Sequence, residues 1–397
     1  MQIDLASPAS FADGHPVEQY DWLLTHDRVH RHPHGDGFYW AVSGYDEVRQ
    51  VSREHRVFSN EWGISLERAP DSSLESLRTM MIMMDPPNHT AYRRLVSGAF
   101  TPRGSGKWID RVQALARQIV DSVAEAGHCD LVADVAGEMP SFVVADMLGL
   151  PPEEGRQLYH WTEIVHTDHS VVSEQERAEA VMALIGRGME VYSERRANPG
   201  DDLGSVIANA AVDGEEMTEG AFAAFFMLLV DAGGDTTRNL VAGGIEELIA
   251  RPELLAWLLE DLDRRLPSAI EELLRYCSPV VYMGRQALAD VEVGGQRIRA
   301  GDRVVLYYGA ANRDPRVFEH PAELDLTRDP NPHVAFGAGG PHYCLGSHLA
   351  RIEIHAILRE FLGRCRDLEL DGPLERQQSS FICGPREMPV RFAGCRA

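Results

Sequence analysis

The sequence has almost no lysine, fewer basic than acidic residues and no long apolar run. Lys107 is the only lysine among 38 basic residues, and 61 acidic residues leave a formal net charge of -23. An acidic surface repels nucleic acid and anionic membranes over roughly 10 Å at physiological salt, so we expect neither as a partner. No run of about 18 uncharged apolar residues occurs, and the first residues lack a signal-peptide pattern. We therefore expect a cytoplasmic protein without a membrane anchor.

Closely spaced cysteine pairs are also absent. The six cysteines lie at positions 129, 277, 344, 365, 383 and 395, and none forms the CxxC spacing of a zinc site. There is no HExxH motif either, so a zinc hydrolase is disfavoured. No repeat, low-complexity tract or polar linker interrupts the chain, and 44% hydrophobic residues suffice for a large core. We expect one domain over residues 1–397.

Helical periodicity dominates what is present. Apolar residues recur at three- and four-residue spacing in five segments, namely 91–100, 109–126, 141–150, 174–196 and 269–276. The longest helical candidate begins near Thr218 and spans roughly 45 to 50 Å at 1.5 Å per residue. Short strand patterns lie at 37–43, 280–288, 303–308 and 388–392. The sequence thus predicts a mainly α fold with small β-sheets.

The most specific segment is FGAGGPHYCLGSHLARIEIHAILREFL, residues 336–362. A glycine-rich loop there delivers Cys344 to an amphipathic helix that begins near Leu345. Backbone N–H groups at a helix N-terminus and in a glycine-rich turn stabilise a thiolate, and Gly346 permits a flat ligand to approach closely. A lone cysteine is more often a buried core thiol, but this surrounding loop favours a thiolate ligand.

The loop resembles the haem-binding signature of the cytochrome P-450 superfamily, and the resemblance extends from about Gly37 to Phe392. Phe336, His342, Cys344 and Gly346 occupy the matching positions. Phe336 lies eight positions before Cys344, one more than in most members, as in a bacterial subgroup that includes steroid- and lipid-oxidising enzymes. The resemblance implies the P-450 fold, with haem b between the long central helix and the cysteine-loop helix, and Cys344 as the axial iron ligand.

Two further groups of residues follow from this resemblance. Glu272 and Arg275 are neighbours on one helical face, which alone suggests a solvated ion pair contributing a few tenths of a kcal/mol. The matching ExxR helix of the family implies instead a buried structural network completed by Arg328. The two haem propionates need charged or hydrogen-bonding partners. The matching positions for them are His89, Arg93, Arg285 and His342.

The segment DAGGDTT, residues 231–237, places two glycines inside the long helix. Each glycine lowers the stability of the helix by about 1 kcal/mol relative to alanine. Thr236 can hydrogen-bond the carbonyl one turn back and produce a kink or widened turn. The segment resembles the oxygen-binding groove of the family, in which Asp235 and Thr236 match the acid and alcohol that relay protons for the co-substrate dioxygen. The alternative is a helix-breaking packing site.

Asp231 interrupts the apolar run FFMLLV and lies four residues before Asp235, on the same helical face, so we expect it to face the distal pocket. Steroid- and lipid-oxidising relatives generally have an apolar residue there, whereas a carboxylate suits a substrate with an amine or hydroxyl. We therefore expect hydroxylation of a polar small molecule in secondary metabolism, such as an amino acid on a carrier protein. Equally open is the alternative that Asp231 pairs with an Arg or His of the protein. A steroid, terpene or lipid is the alternative substrate.

Other pocket walls are expected from loops, with Leu228, Val281 and Ile382 as candidate lining residues. The loops are 77–85, 166–170, 280–283 and 379–385, although apolar and methionine-rich stretches are more often core.

Electrons should come from a separate ferredoxin and an NAD(P)H-dependent ferredoxin reductase, because the sequence after MPVRF is too short for a flavin or iron–sulfur domain. A local basic patch would receive the acidic donor. Its residues are Arg93, Arg94, Arg103, Lys107 and Arg111.

Two other interpretations compete with a dioxygen-dependent hydroxylase. One is a catalytically silent recruitment module that binds haem or a carrier protein. The other is an enzyme that uses the same iron for peroxide-driven oxidation or coupling chemistry. The presence of Cys344, Asp235 and Thr236 together favours a monooxygenase.

Overall fold

Helices carry most of the chain in the computed structural model, which describes residues 1–167 and 171–393. The α-helices of these two ranges are α1 (Val17–His26), α2 (Tyr45–Arg53), α3 (Asp71–Leu77), α4 (Asn88–Phe100), α5 (Pro102–Ser105), α6 (Ile109–Ala124), α7 (Glu138–Met147), α8 (Glu154–His166), α9 (Glu174–Ala197), α10 (Leu203–Ala208), α11 (Glu219–Ile249), α12 (Pro252–Glu260), α13 (Leu262–Cys277), α14 (Tyr308–Ala311) and α15 (Ser347–Arg364). The predicted long helix is α11, and the cysteine-loop helix is α15. The latter begins at Ser347, slightly later than predicted.

The strands are short and form small sheets. They are β1 (Val29–His34), β2 (Gly37–Val42), β3 (Phe58–Ser59), β4 (His128–Asp130), β5 (Ala211–Val212), β6 (Glu215–Glu216), β7 (Tyr282–Ala287), β8 (Val291–Val293), β9 (Gln296–Ile298), β10 (Arg303–Tyr307), β11 (Arg366–Leu370), β12 (Glu375–Arg376), β13 (Pro385–Glu387) and β14 (Pro389–Ala393). One sheet has the order β1-β2-β10-β7-β3, with β10 parallel to β2 and antiparallel to β7. Its register sets Arg285 opposite Val304. The mainly α fold with small sheets is confirmed.

Helix α11 crosses the protein through its apolar interior. The side chain of Thr218 caps it by accepting a hydrogen bond from the N–H of Ala221, and most of its residues are buried. The sequence predicts a kink or widened turn at Gly233 and Gly234. The helix continues through both glycines without interruption. A Cβ on Gly233 would lie 2.4 Å from Val144 of α7. The glycines therefore allow α11 to approach its neighbours closely, which explains their presence in terms of packing.

Three hydrophobic clusters form the core of the described residues. The largest joins α6, α7, α9, α11, α13 and α15, and it contains Leu228. A second lies between α2 and the sheet of β2, β7 and β10. The third lies beneath α1 and contains Val281 and Tyr307. The described ranges contain no helix that is both long and apolar enough to cross a membrane. The single-domain organisation stays a prediction.

Candidate active site

The glycine-rich loop before α15 holds Cys344 in a fixed position. The N–H of Cys344 donates to the carbonyl of Phe336 at 2.9 Å, which closes the loop on itself. Gly340 has a φ of 81°, and a Cβ there would lie 2.3 Å from the carbonyl oxygen of Ser52. The hydroxyl of Ser52 also donates to the carbonyl of Gly339 at 2.7 Å. The loop is therefore fastened to α2, and glycine is required at the contact.

The Cys344 side chain is half-buried at the start of α15. Burial raises the pKa of its thiol, whereas the backbone N–H groups of Gly346 and Ser347 and the guanidinium groups of Arg93 and Arg351 act in the opposite direction. These donors would stabilise a thiolate once a metal replaces the proton. A Cβ on Gly346, two residues after Cys344, would meet no protein atom within 4 Å, so there is open space at this glycine.

The four predicted propionate partners converge on one place. The ring centroids of His89 and His342 are 4.2 Å apart. Buried Nδ1 of His89 and buried Nε2 of His342 both lack a hydrogen-bond partner. Burial lowers the pKa of His89 to about 4, and Arg93 adds to this effect. Burial also lowers the pKa of His342 far below its usual range, with further contributions from Arg285, His89 and Arg93.

Arg285 and Arg93 complete this group of donors. Arg285 is only 4% exposed and donates to the carbonyl of Gly284 at 2.8 Å, and burial lowers its pKa. Arg93 donates to the carbonyl of Tyr343 at 2.6 Å. Buried cations and unpartnered ring nitrogens beside a cysteine are the environment that two carboxylates would complete. These residues fit haem, whose propionates this group would bind and whose iron Cys344 would hold.

The ExxR pair is buried and extensively hydrogen-bonded. Both Glu272 and Arg275 have fully buried side chains, with contacts of 2.7 and 2.8 Å between them. Arg328 and Asn331 donate to the same carboxylate at 3.1 and 3.0 Å. Arg275 donates in addition to the carbonyls of Asn312, Pro321 and Glu323. The structure thus brings Arg328 to the pair, in the segment that leads into the cysteine loop.

A second brace, which the sequence did not suggest, centres on Glu271. Arg351 of α15 makes two contacts with its carboxylate, at 2.6 and 2.7 Å, and His333 makes one at 3.0 Å. Although burial raises the pKa of Glu271, hydrogen bonds from Arg351 and His333 bring it down to about 2. The same guanidinium lies 4.5 Å from the ring centroid of Phe336. The neighbouring carboxylates of Glu271 and Glu272 on α13 therefore hold the segment before the cysteine loop and the helix that follows it, α15.

The acid and alcohol lie near the middle of α11. The hydroxyl of Thr236 donates to the carbonyl of Ala232 at 3.1 Å, one turn back. The side chain of Asp235 is fully buried. Its Oδ2 lies 2.5 Å from Nδ1 of His166, and its Oδ1 lies 3.1 Å from Arg238. Arg238 could have been found from its i,i+3 spacing, but His166, 69 residues away along the chain, could not.

Asp231 is paired with a protein side chain. Its Oδ1 lies 2.9 Å from Nε2 of His166, so one imidazole contacts Asp231 and Asp235 together. Of the two interpretations left open for Asp231, the structure has the one in which it pairs with a histidine. Its carboxylate is therefore engaged before any substrate arrives.

The predicted pocket residues lie in different parts of the fold, and their role as pocket walls stays a prediction. Leu228 belongs to the largest hydrophobic cluster and Val281 to the cluster beneath α1. Ile382 is bridged to Val280, and the N–H of Val281 donates to the carbonyl of Phe381 at 2.9 Å. Of the predicted wall at 166–170, positions 168–170 lie outside the described residues.

Comparison with known proteins identifies the family. The family model for cytochrome P-450 matches residues 157–388. A methyl-branched lipid omega-hydroxylase of Mycobacterium tuberculosis is 37% identical over 366 residues, which cover 90% of this chain and 85% of that protein. A steroid C26-monooxygenase of Mycolicibacterium smegmatis is 35% identical, covering 98% and 96%.

A solved structure agrees in fold over nearly the whole chain. The Mycobacterium marinum cytochrome P-450 CYP268A2 in complex with pseudoionone has a TM-score of 0.93 and 38% identity, covering 99% of each chain. The enzymes among these relatives are monooxygenases or hydroxylases, and the family carries haem b and uses dioxygen as co-substrate. With its cysteine loop, ExxR helix and acid–alcohol pair in place, this chain belongs to the cytochrome P-450 family and is a P-450 monooxygenase.

Proposed function

We propose that the protein hydroxylates an apolar lipid-, steroid- or terpene-type substrate. The observation that carries this proposal is the pairing of Asp231 with His166 at 2.9 Å. Asp231 was the residue that favoured a polar substrate, and its charge is compensated within the protein. The named relatives, a lipid omega-hydroxylase and a steroid monooxygenase, support the same class. They favour the alternative over our first expectation of secondary metabolism, and presentation on a carrier protein stays a prediction.

The division of labour among the residues follows from their positions. When bound, haem supplies the thiolate-ligated iron at which dioxygen is activated with two external electrons. Cys344 would hold the iron, and His89, Arg93, Arg285 and His342 would bind the propionates. Asp235 and Thr236 would deliver the protons that convert one oxygen atom to water while the other enters the substrate.

An external ferredoxin with its NAD(P)H-dependent reductase is the proposed electron source. Arg94, Arg103 and Lys107 are exposed, and none makes an ion pair within the described ranges. Arg111, in contrast, is paired with Asp146 at 2.9 Å, and Arg93 is turned toward the haem loop. The docking patch is therefore smaller than the sequence suggested, with three free cations for an acidic donor.

The experiment is a substrate comparison with purified holoprotein. A methyl-branched fatty acid, a steroid, pseudoionone and an aminoacyl carrier protein are titrated while the Soret band is followed. Turnover with ferredoxin and reductase is then analysed by mass spectrometry. We expect binding and a hydroxylated product with one or more of the three apolar compounds. Turnover confined to the aminoacyl carrier protein would overturn the proposal, and a purified protein without haem would favour the recruitment module.

A further inference from the structure

His166 ends α8 between two acidic residues of α11. Its Nε2 lies 2.9 Å from Asp231 and its Nδ1 lies 2.5 Å from Asp235. The exposed fraction of the side chain falls from 26% at Asp231 to 11% at His166 and 0% at Asp235. One buried imidazole therefore joins a carboxylate near the surface to the acid beside Thr236.

The two oxygens of Asp235 are in different situations. Oδ2 is hydrogen-bonded to His166, whereas Oδ1 is buried and has no hydrogen-bond partner. Arg238 lies 3.1 Å from Oδ1 and balances its charge without making a hydrogen bond of good geometry. An unpartnered buried acceptor is costly unless another ligand uses it. Oδ1 is thus the atom of Asp235 that can bind a proton or a water.

We propose that His166 is a positioning residue for proton delivery: it holds Oδ2 of Asp235 so that Oδ1 takes and releases each relayed proton, and Asp231 keeps the imidazole charged. This rests on the proposed relay role of Asp235 and Thr236. A proton arriving at Oδ1 forms an O–H bond there, and the same bond breaks when it is passed on. Asp235 returns to the carboxylate, while His166 retains both of its N–H protons throughout.

The charges around His166 support this assignment. Although burial alone lowers the pKa of His166, the Asp231 and Asp235 carboxylates together raise it well above its usual range. An imidazolium that donates to two carboxylates is a strong charge-assisted arrangement. Removing Asp231 takes away the larger of the two carboxylate contributions. His166 should then lose its proton at a lower pH.

Among the described residues, other charged groups lie around Asp231, His166 and Asp235. Arg238 of α11 lies 3.6 Å from Glu163 of α8. Arg177 of α9 donates to the backbone carbonyls of Val165 and Thr167, next to the imidazole. Arg386 and Glu387 of β13 act on Glu163. The ring centroids of Phe381 and His166 are 5.8 Å apart, and the phenyl ring limits contact of the imidazole with water. The nearest acids remain Asp231 and Asp235.

The first test follows the imidazole itself by NMR in histidine-labelled, ferrous carbon monoxide-bound holoprotein, with the His166 signal assigned from His166→Gln. In the wild type we expect no titration of His166 between about pH 6 and about pH 8. In Asp231→Asn we expect a titration inside this range. The matched control is His160→Gln on the same helix, an exposed histidine whose removal should leave the His166 signal unchanged. A wild-type His166 that titrates near its ordinary pKa would overturn the proposal.

The second test measures how NADH consumption divides between hydroxylated product and hydrogen peroxide as the pH rises. In Asp231→Asn we expect product formation per NADH to fall roughly tenfold with the deprotonation of His166. His166→Leu should be poorly coupled at every pH, and His166→Gln, which keeps one N–H donor, should recover part of the loss. A merely structural role would lower coupling equally at all pH values and would contradict the inference. If no apolar compound is hydroxylated, the substrate proposal fails, while the NMR arm still decides the role of His166.

Discussion

Glu272 and Arg275 face each other one turn apart on α13, at 2.7 and 2.8 Å, and neither side chain reaches solvent. Such a pair is stable only if the remaining hydrogen-bonding capacity is used as well. Here Glu272 also accepts from Arg328, Asn331 and the N–H of Asp325. The network therefore ties α13 to the segment that precedes the cysteine loop.

Replacing Arg275 by Met should remove one of the two guanidinium partners of the buried Glu272 carboxylate and leave only Arg328 to balance its charge. We expect a loss of about 3 to 5 kcal/mol in the free energy of unfolding, together with reduced haem content, because the loop loses its support. Urea unfolding and haem quantification would measure both. The matched control is Arg359→Met, which removes an exposed pair with Asp263 and should cost less than about 1 kcal/mol. Equal effects of the two substitutions would contradict the role of the network.

Replacing Cys344 by Ser should remove the thiolate ligand. We expect the Soret band of the reduced, carbon monoxide-bound protein to lose the red-shifted position typical of thiolate ligation. Cys277→Ser, outside the loop at the end of α13, is the control and should keep the wild-type spectrum. An unchanged spectrum in Cys344→Ser would contradict the assignment of Cys344 as the iron ligand.

Arg93 and its neighbour Arg94 offer a matched pair on α4. Arg93 is turned toward the haem loop, whereas Arg94 is exposed. We expect Arg93→Gln to speed haem release to apomyoglobin roughly tenfold, since a charge-assisted hydrogen bond contributes about 1.5 to 3 kcal/mol. Arg94→Gln should leave the release rate unchanged. Similar rates for both variants would mean that Arg93 does not bind a propionate.

The docking patch predicts a salt-dependent effect on electron transfer. Arg103→Glu and Lys107→Glu should each raise the KM for ferredoxin several-fold at low ionic strength, with less effect at high salt, because exposed charges are screened over roughly 10 Å. Arg111→Gln removes a cation that Asp146 already neutralises, so its KM should change little. Steady-state reduction kinetics at two ionic strengths decide between these outcomes.

The paired His166 predicts a defined pH dependence of stability. Its folded-state pKa is raised, so its contribution is fully present below about pH 6.5, the usual pKa of an unfolded histidine, and is lost as the pH rises through the folded value. The difference in unfolding free energy between wild type and His166→Gln should therefore shrink as the pH rises above about 6.5. A difference that grows in that range would show that the imidazole is not held as a cation.

The sequence alone determined local features that depend on short spacing. Helical periodicity and turn chemistry place Cys344 in a glycine-rich loop before a helix, set Glu272 and Arg275 on one helical face and put the DAGGDTT segment inside the long helix. The roles of these residues came from the resemblance to the family. The same local rules identified the long helix and the mainly α class.

Only the tertiary structure decided what joins distant segments. His166 meets Asp231 and Asp235 because Gly234 of α11 lets α8 pack closely, and Glu271 meets Arg351 and His333 because α13 packs against α15 and the segment before it. No periodicity records such contacts, since they depend on how helices pack. The sequence therefore indicated that Asp231 matters, whereas the fold decided that its partner is His166. Charged side chains in a protein interior need opposite charges nearby, and helix packing determines which charges lie close.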